Sequence, residues 1–365
     1  MSTVIKYCGL RFFLFMQIFI ISCSNNCGEI FSSRTFTFTY SVNIEPSNGK
    51  KLELWLPVPQ SNEVQTIANL SFDANGLDYT LKQEKKHGNK YMYIYAEEGT
   101  RLPVEISMNF EVNRQEHKNI IYNGVDPTNY LTSYSMVPTG DIFSKIILEN
   151  NFSLENVRPI YDYVLSGMHY GKPKDVTDDD PYYSGKNPKT EQEWLPNNSS
   201  YGLKEVSIDE VVSLYKESKI TDGSYTFGNG NSIYACDIGV GNCTDYHSYF
   251  MSLDRTLGIP ARFHMGFSIP SNSGGEITGY HCWSDYYIEG EGWSPVDISE
   301  ADKDPSRQDY FFGTVCENRV EMMLGRDFIL DEYNNGLVNL FIYPLLEVDD
   351  IKSKKFATTF TYKDK

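Results

Sequence analysis

Apolar and polar residues alternate over 36–44: Phe36, Phe38, Tyr40, Val42 and Ile44 are separated by Thr37, Thr39, Ser41 and Asn43. A period of two buries one face and wets the other, so the pattern predicts a strand. Leu52, Leu54 and Leu56 continue the alternation until Pro57 and Pro59, and Ser47-Asn48-Gly49 between the two runs reads as a hairpin turn. Tyr91, Tyr93 and Tyr95 form a third run, and Val104, Ile106, Met108, Phe110 and Val112 a fourth. Short strands separated by turn signals predict an all-β sandwich. His87 and His117 sit in polar, lysine-containing stretches and read as surface residues.

The period changes at 153–168. Val157, Ile160, Tyr161, Val164, Leu165 and Met168 fall on one helical stripe, with Ser153 in N-cap position. The polar stretch 171–204, with Asp175, Asp178, Asp179 and Asp180, reads as a solvated acidic loop; its spacing does not fit an EF-hand. A short helix is predicted over 207–218. Tyr246, Phe250, Leu253 and Leu257 recur at steps of four, three and four, and Gly258 and Pro260 end that helix. Asn242 is its natural N-cap, which places Cys243 in the first turn.

The first 22 residues stand apart. Lys6 and Arg11 precede an apolar run, Phe12 to Ile21, broken only by Gln17. Ten residues are too short for a hydrocarbon core of about 30 Å, so the run reads as a signal-peptide core. It ends in Ile20-Ile21-Ser22-Cys23, which resembles a bacterial lipobox with Cys23 as the lipidated first residue. The expected organisation is a signal peptide over 1–22, a β-sandwich over 23–125 and a catalytic region over 126–365. The last has a polar insertion around 171–227 and a β-rich tail. Localisation follows as the bacterial cell envelope, lipid-anchored, with Ser24 pointing to the outer membrane.

Composition narrows the partners. The chain has 365 residues and a formal net charge of −17, which argues against nucleic acid, since phosphate recognition needs a basic field. Seven Cys in this length do not make a disulfide scaffold.

The chemistry concentrates at Cys243. Unpaired N–H groups and the helix dipole favour an anion in a first turn, and a Cys there, especially beside an imidazolium, drops from about 8.5 into the range of roughly 3.5–7.5. Downstream, Tyr280 to Ile288 reads as a strand headed by His281; Gly290-Glu291-Gly292 turns it into Trp293-Ser294-Pro295-Val296-Asp297. That hairpin brings His281 and Asp297 together across the ladder, supplying a base and its orienter.

Residues 228–305 resemble the core of the transglutaminase-like superfamily, papain-related enzymes with Cys, His and Asp in that chain order. The matching stretches are Gly241-Asn242-Cys243, Gly258 to Arg262, His281-Cys282-Trp283 and Gly292 to Asp297. Flanking matches at 228–237, 310–313, 318–320 and 325–327, and Trp55 to Pro59 in the sandwich, extend it over most of the chain. The resemblance implies an α+β, papain-like catalytic core preceded by an all-β sandwich. It makes Cys243 the nucleophile, His281 the general base and acid, and Asp297 the orienting residue. It implies a peptide or protein substrate and no cofactor or metal. The oxyanion donor beside the Cys243 N–H is left between Trp283 and Asn242. A peptidase or amidase is expected; a cross-linking transglutaminase and a non-catalytic peptide- or glycan-binding module are the alternatives.

Other residues have plainer readings. His247, one turn after Cys243, reads as packing; Asp245 as a helix-end carboxylate; His264 as core; Arg262 as the partner of an acidic neighbour. Asp285 is an alternative orienter, but lies four strand positions, roughly 13 Å, from His281 along the same strand. Cys236, Cys243, His247, His281 and Cys282 contain no CxxC or HxxxH pair, which disfavours zinc. Cys27, Cys236, Cys282 and Cys316 suit disulfides or buried thiols equally, and Cys282 is expected to point away from His281.

Overall fold

The computed structural model describes residues 32–171, 185–186, 193–194 and 207–365. The leader 1–22, Cys23 and Cys27, and most of the acidic stretch expected to be a loop, lie outside the described residues.

The amino-terminal region forms β1 (Ser33–Ile44), β2 (Leu52–Val58), β3 (Gln65–Asp73), β4 (Tyr79–Gln83), β5 (Lys90–Ala96) and β6 (Val104–Gln115). Next come α1 (Asp141–Asn150), α2 (Arg158–Gly167), β7 (His169–Tyr170), β8 (Gly185–Lys186) and β9 (Glu193–Trp194). They lead to α3 (Ile208–Ile220), α4 (Ser232–Ile238), β10 (Val240–Gly241) and α5 (Cys243–Leu257). The catalytic sheet follows as β11 (Ala261–Ser268), β12 (Gly274–Ile277), β13 (His281–Ile288), β14 (Gly292–Val296), α6 (Ile298–Lys303) and β15 (Arg319–Leu324). The chain closes with β16 (Leu345–Val348), β17 (Ile351–Lys352) and β18 (Phe356–Asp364).

The result is a mixed α+β fold. Two five-stranded sheets, ordered β12-β18-β1-β6-β3 and β17-β16-β2-β5-β4, face one another, and a four-stranded sheet, β14-β13-β11-β15, carries α5. Both sandwich sheets take strands from beyond residue 270, so the carboxy-terminal tail completes the amino-terminal layers. One hydrophobic core runs from Phe38, Leu54 and Ile94 through Phe263 and Met265 to Cys282 and Cys243.

Several expectations change. Residues 47–49 do turn, with Asn48 and Gly49 at positive φ, but no hairpin forms: β1 pairs with β6 and β18, while β2 lies in the other sheet beside β5 and β16. β2 runs through Pro57, which faces only Tyr91 because the pairing with β16 stops at Trp55. In β5 the residues in the central core are Met92 and Ile94, and Tyr95 is exposed. Tyr91 and Tyr93 are buried from the outer side, where Phe341 packs edge-on against Tyr91 and Tyr333 against Trp55. Helix α2 starts after Val157 with Pro159 in its first turn, so Ser153 does not cap it. His117 is not on the surface: it bridges to Val315 and is buried against Tyr122 and His264. His87 is half-buried, with Nε2 2.6 Å from the Arg326 carbonyl.

Candidate active site

The nucleophile position is made by a capped helix. Asn242 accepts from the Thr244 N–H, and Asp245 reaches back to the Asn242 N–H, a capping box that starts α5 at Cys243. Asp245 is more than an end charge. Fully buried, it also accepts from the N–H groups of Gly228 (2.9 Å) and Gly230 (3.0 Å), pinning the loop before α4 to the nucleophile's turn. Burial raises its pKa to about 7, against those bonds.

Strand β13 starts at His281, and β14 ends one residue before Asp297. Their pairing runs out at Ser284 and Val296, so the two side chains meet just past the end of the ladder. His281 Nε2 donates to Asp297 Oδ2 at 2.6 Å. His281 Nδ1 lies 4.0 Å from Glu300 Oε1, and a hydrogen bond with the imidazole is among the causes that lower the pKa of the Cys243 thiol. The structure thus brings Cys243, His281 and Asp297 together, all buried.

Asp297 is held on every side. Arg319 Nη2 lies 3.0 Å from Oδ2, Ser299 Oγ donates to Oδ1 at 3.0 Å, and Oδ1 caps α6 at the Glu300 N–H. Burial would raise its pKa, but His281 and Arg319 hold it well below the carboxylate range. Burial likewise opposes charge on His281, yet the Asp297 carboxylate lifts it to about 9. Cys243 is pulled well below the ordinary thiol value, first by the hydrogen bond from Cys282, then, against burial, by His281 and Lys303. Both shifts favour a thiolate beside an imidazolium over a neutral thiol and imidazole.

Cys282 follows His281 in β13, while the ring that shares the His281 side is Trp283. Cys282 lies against Cys243, with Thr244 Oγ1 3.7 Å from its sulfur, and burial keeps it a neutral donor. Trp283 is fully buried, its ring 6.3 Å from that of His281 and stacked on His264 at 5.5 Å. Asn242 Nδ2 turns toward the Tyr280 hydroxyl at 3.4 Å. Arg262 grips Asp285 through two nitrogens, and His264 bridges Asp285 and Glu321, so Asp285 is committed away from His281. Beside Cys243 lie Lys303, paired to Glu300 at 2.8 Å and 4.0 Å above the Tyr170 ring, and the Tyr280 hydroxyl.

Residues 199–298 match the family model of the transglutaminase-like superfamily. The chain carries a transglutaminase-like core. That core ends one residue past Asp297 and contains the whole Cys-His-Asp set. An uncharacterised protein of Haemophilus influenzae is 22% identical over 362 residues, covering 86% of this chain and 85% of its own length. A protein of Cytophaga hutchinsonii, provisionally named a cysteine protease, superposes with a TM-score of 0.49 at 13% identity, over 92% of this chain and 100% of that one. The periplasmic domain of TgpA from Pseudomonas aeruginosa gives a TM-score of 0.32 at 13% identity, over 74% and 90%.

Sequence reasoning missed three residues of this transglutaminase-like site: Arg319 beside Asp297, Cys282 as a donor, and His247, which bonds the Cys243 carbonyl and the Ile298 N–H. Arg319 lies in the matching stretch 318–320, but nothing in its spacing says that it reaches Asp297.

Proposed function

We propose that the protein is an exported cysteine hydrolase that attacks peptide or carboxamide carbonyls through a thioester on Cys243. The observation that carries this reading is the 2.6 Å contact between His281 and Asp297, with the ring's other side on a thiol at a helix N-terminus. The Cys243 thiolate adds to the carbonyl carbon, and the oxyanion develops beside the helix's free N–H groups. His281 gives its proton to the departing amine or ammonia. It then takes a proton from water as that water attacks the thioester, which releases the acid and restores the thiolate beside the imidazolium.

The test is product analysis with a peptide library, with and without a primary amine, beside Cys243→Ala. Cleavage or deamidation that disappears in the variant supports hydrolysis. Amine incorporation with release of ammonia would make the enzyme a cross-linker. No turnover, with Cys243 labelled by iodoacetamide no faster than a free thiol, would make the fold a binding module. The leader and Ser22-Cys23 support lipid anchoring at the cell envelope; labelled fatty acid should enter the protein but not its Cys23→Ala variant.

A further inference from the structure

Two carboxylates flank the catalytic imidazole, and only one of them holds it. Asp297 Oδ2 accepts from His281 Nε2 at 2.6 Å. Glu300 Oε1 stands 4.0 Å from Nδ1, beyond hydrogen-bond length. The same Glu300 oxygen accepts from the Lys303 ammonium at 2.8 Å. Oε1 therefore has two donors to choose from and is bonded to the lysine.

The chain sets this choice. Asp297 caps α6, and Glu300 and Lys303 lie three residues apart on that short helix, so their side chains share a face. Lys303 is also fixed at its far end. Its Nζ sits 4.0 Å from the centre of the Tyr170 ring, a cation–π contact. Tyr170 pairs with Gly241 in the β7–β10 ladder, and its N–H donates to Asp302 Oδ2 at 2.8 Å. The ammonium is thus anchored on the strand that pairs with the approach to Cys243, and Glu300 is bonded to that anchor rather than to the ring.

Nδ1 matters because Nε2 is occupied. With Nε2 donating to Asp297, the proton that His281 gives to the leaving amine must come from Nδ1. A Glu300 carboxylate bonded there would hold that proton in a second charge-assisted bond. It would also make His281 a weaker acid, since a general acid works best with a pKa near the working pH. The ring's other titratable and charged neighbours are the Cys243 sulfur and His247 on α5, and Arg319 on β15, which is bonded to Asp297. Among the described residues, Glu300 is the one carboxylate within 4.0 Å of Nδ1.

We infer that Lys303 is a positioning residue: it tethers Glu300, and so keeps the Nδ1 proton of His281 available to the leaving group. The role in catalysis rests on the hydrolase reading above; the tether itself can be tested without turnover.

The test is a double-mutant cycle. Lys303→Met keeps the stem over Tyr170 and removes the charge. In the wild-type background it should lower kcat about tenfold or more, a part of the roughly 10²–10⁴ that a positioned acid supplies. In the Glu300→Gln background it should cost about twofold at most beyond that variant. The second readout is the ¹⁵N titration of the His281 ring, which needs no substrate. Lys303→Met should push its midpoint above about 9 in the wild-type background, and leave it unmoved in the Glu300→Gln background. No rise in the first background, or equal effects of Lys303→Met in both, overturns the proposal, because Lys303 then acts by its own charge or not at all. If no substrate is turned over, the hydrolase reading fails, and the titration alone decides whether Glu300 takes Nδ1 when the tether is cut. If Lys303→Met does not fold, Lys303→Gln enters the same cycle.

Discussion

His247 holds the carbonyl oxygen of Cys243, one turn back on the same helix, through Nδ1 at 2.6 Å. Its Nε2 accepts from the Ile298 N–H at 3.0 Å. One ring thus fastens the nucleophile's backbone to the segment that follows Asp297. Burial lowers the pKa of His247 below its ordinary value, which keeps the ring neutral and able to donate and accept at once.

His247→Phe keeps most of the volume and removes both bonds. The Cys243 carbonyl keeps its helical bond, but the buried Ile298 N–H is left unpaired at about 1–3 kcal/mol, so the unfolding midpoint should fall. A displacement near 1 Å between nucleophile and base can cost roughly 100-fold. In steady-state kinetics kcat should therefore drop about tenfold or more while KM stays nearly unchanged. A folded variant with wild-type kcat would rule out a positioning role.

Asp297→Asn tests the charge that lifts His281. The active thiolate–imidazolium pair should persist up to pH about 9, where His281 loses its proton. In the variant the alkaline limb of kcat/KM should move toward about 6.5, and kcat should fall by up to ~10⁴. The stability sign follows. A raised folded-state value contributes stability below the ordinary histidine value and loses it as pH rises through about 9. The gap in unfolding midpoint between wild type and variant should narrow over that window. An unmoved alkaline limb would show that the charge on His281 comes from elsewhere.

The parts of the molecule legible in sequence are those that follow one regular face. Phe36 to Ile44 bury alternate residues against a single core, and the stripe through Tyr246, Phe250 and Leu253 is buried as its spacing requires. Tyr91, Tyr93 and Tyr95 misled because β5 is covered on both sides, by the opposing sheet and by residues near 333–341, and alternation cannot register two buried faces. Cys243, His281 and Asp297 could be named because each sits at an element boundary with its own local signal: a cap, a strand start, a hairpin exit. Arg319 and Cys282 carry no such signal. Their contacts arise only once β11 lies between β13 and β15.

Cys282→Ala removes the thiol that donates to Cys243, the largest influence lowering the nucleophile's pKa. The pH midpoint for alkylation of Cys243 by iodoacetamide should rise toward the ordinary value of about 8.5. Cys282→Ser, which restores a donor, should bring it part of the way back. Identical profiles in all three proteins would leave His281 and the helix N-terminus as the whole cause.

Gly266 links the fold to the acid–base pair. It lies opposite His281 across the β11–β13 ladder, where the pairing of β11 with β15 shifts register. A Cβ at this position would fall 1.8 Å from the Val320 carbonyl oxygen, a backbone atom that moves only if β15 moves. Arg319, the residue before Val320, places its guanidinium 3.0 Å from Asp297. Gly266→Ala should therefore destabilise the protein by about 1–3 kcal/mol through overpacking. It should also disturb catalysis through Arg319 and Asp297 without touching either. The expected signature is a changed alkaline limb, relative to wild type, in protein that still binds substrate. If a folded Gly266→Ala variant keeps its limb at pH about 9, the register shift is not what sets Arg319 against Asp297.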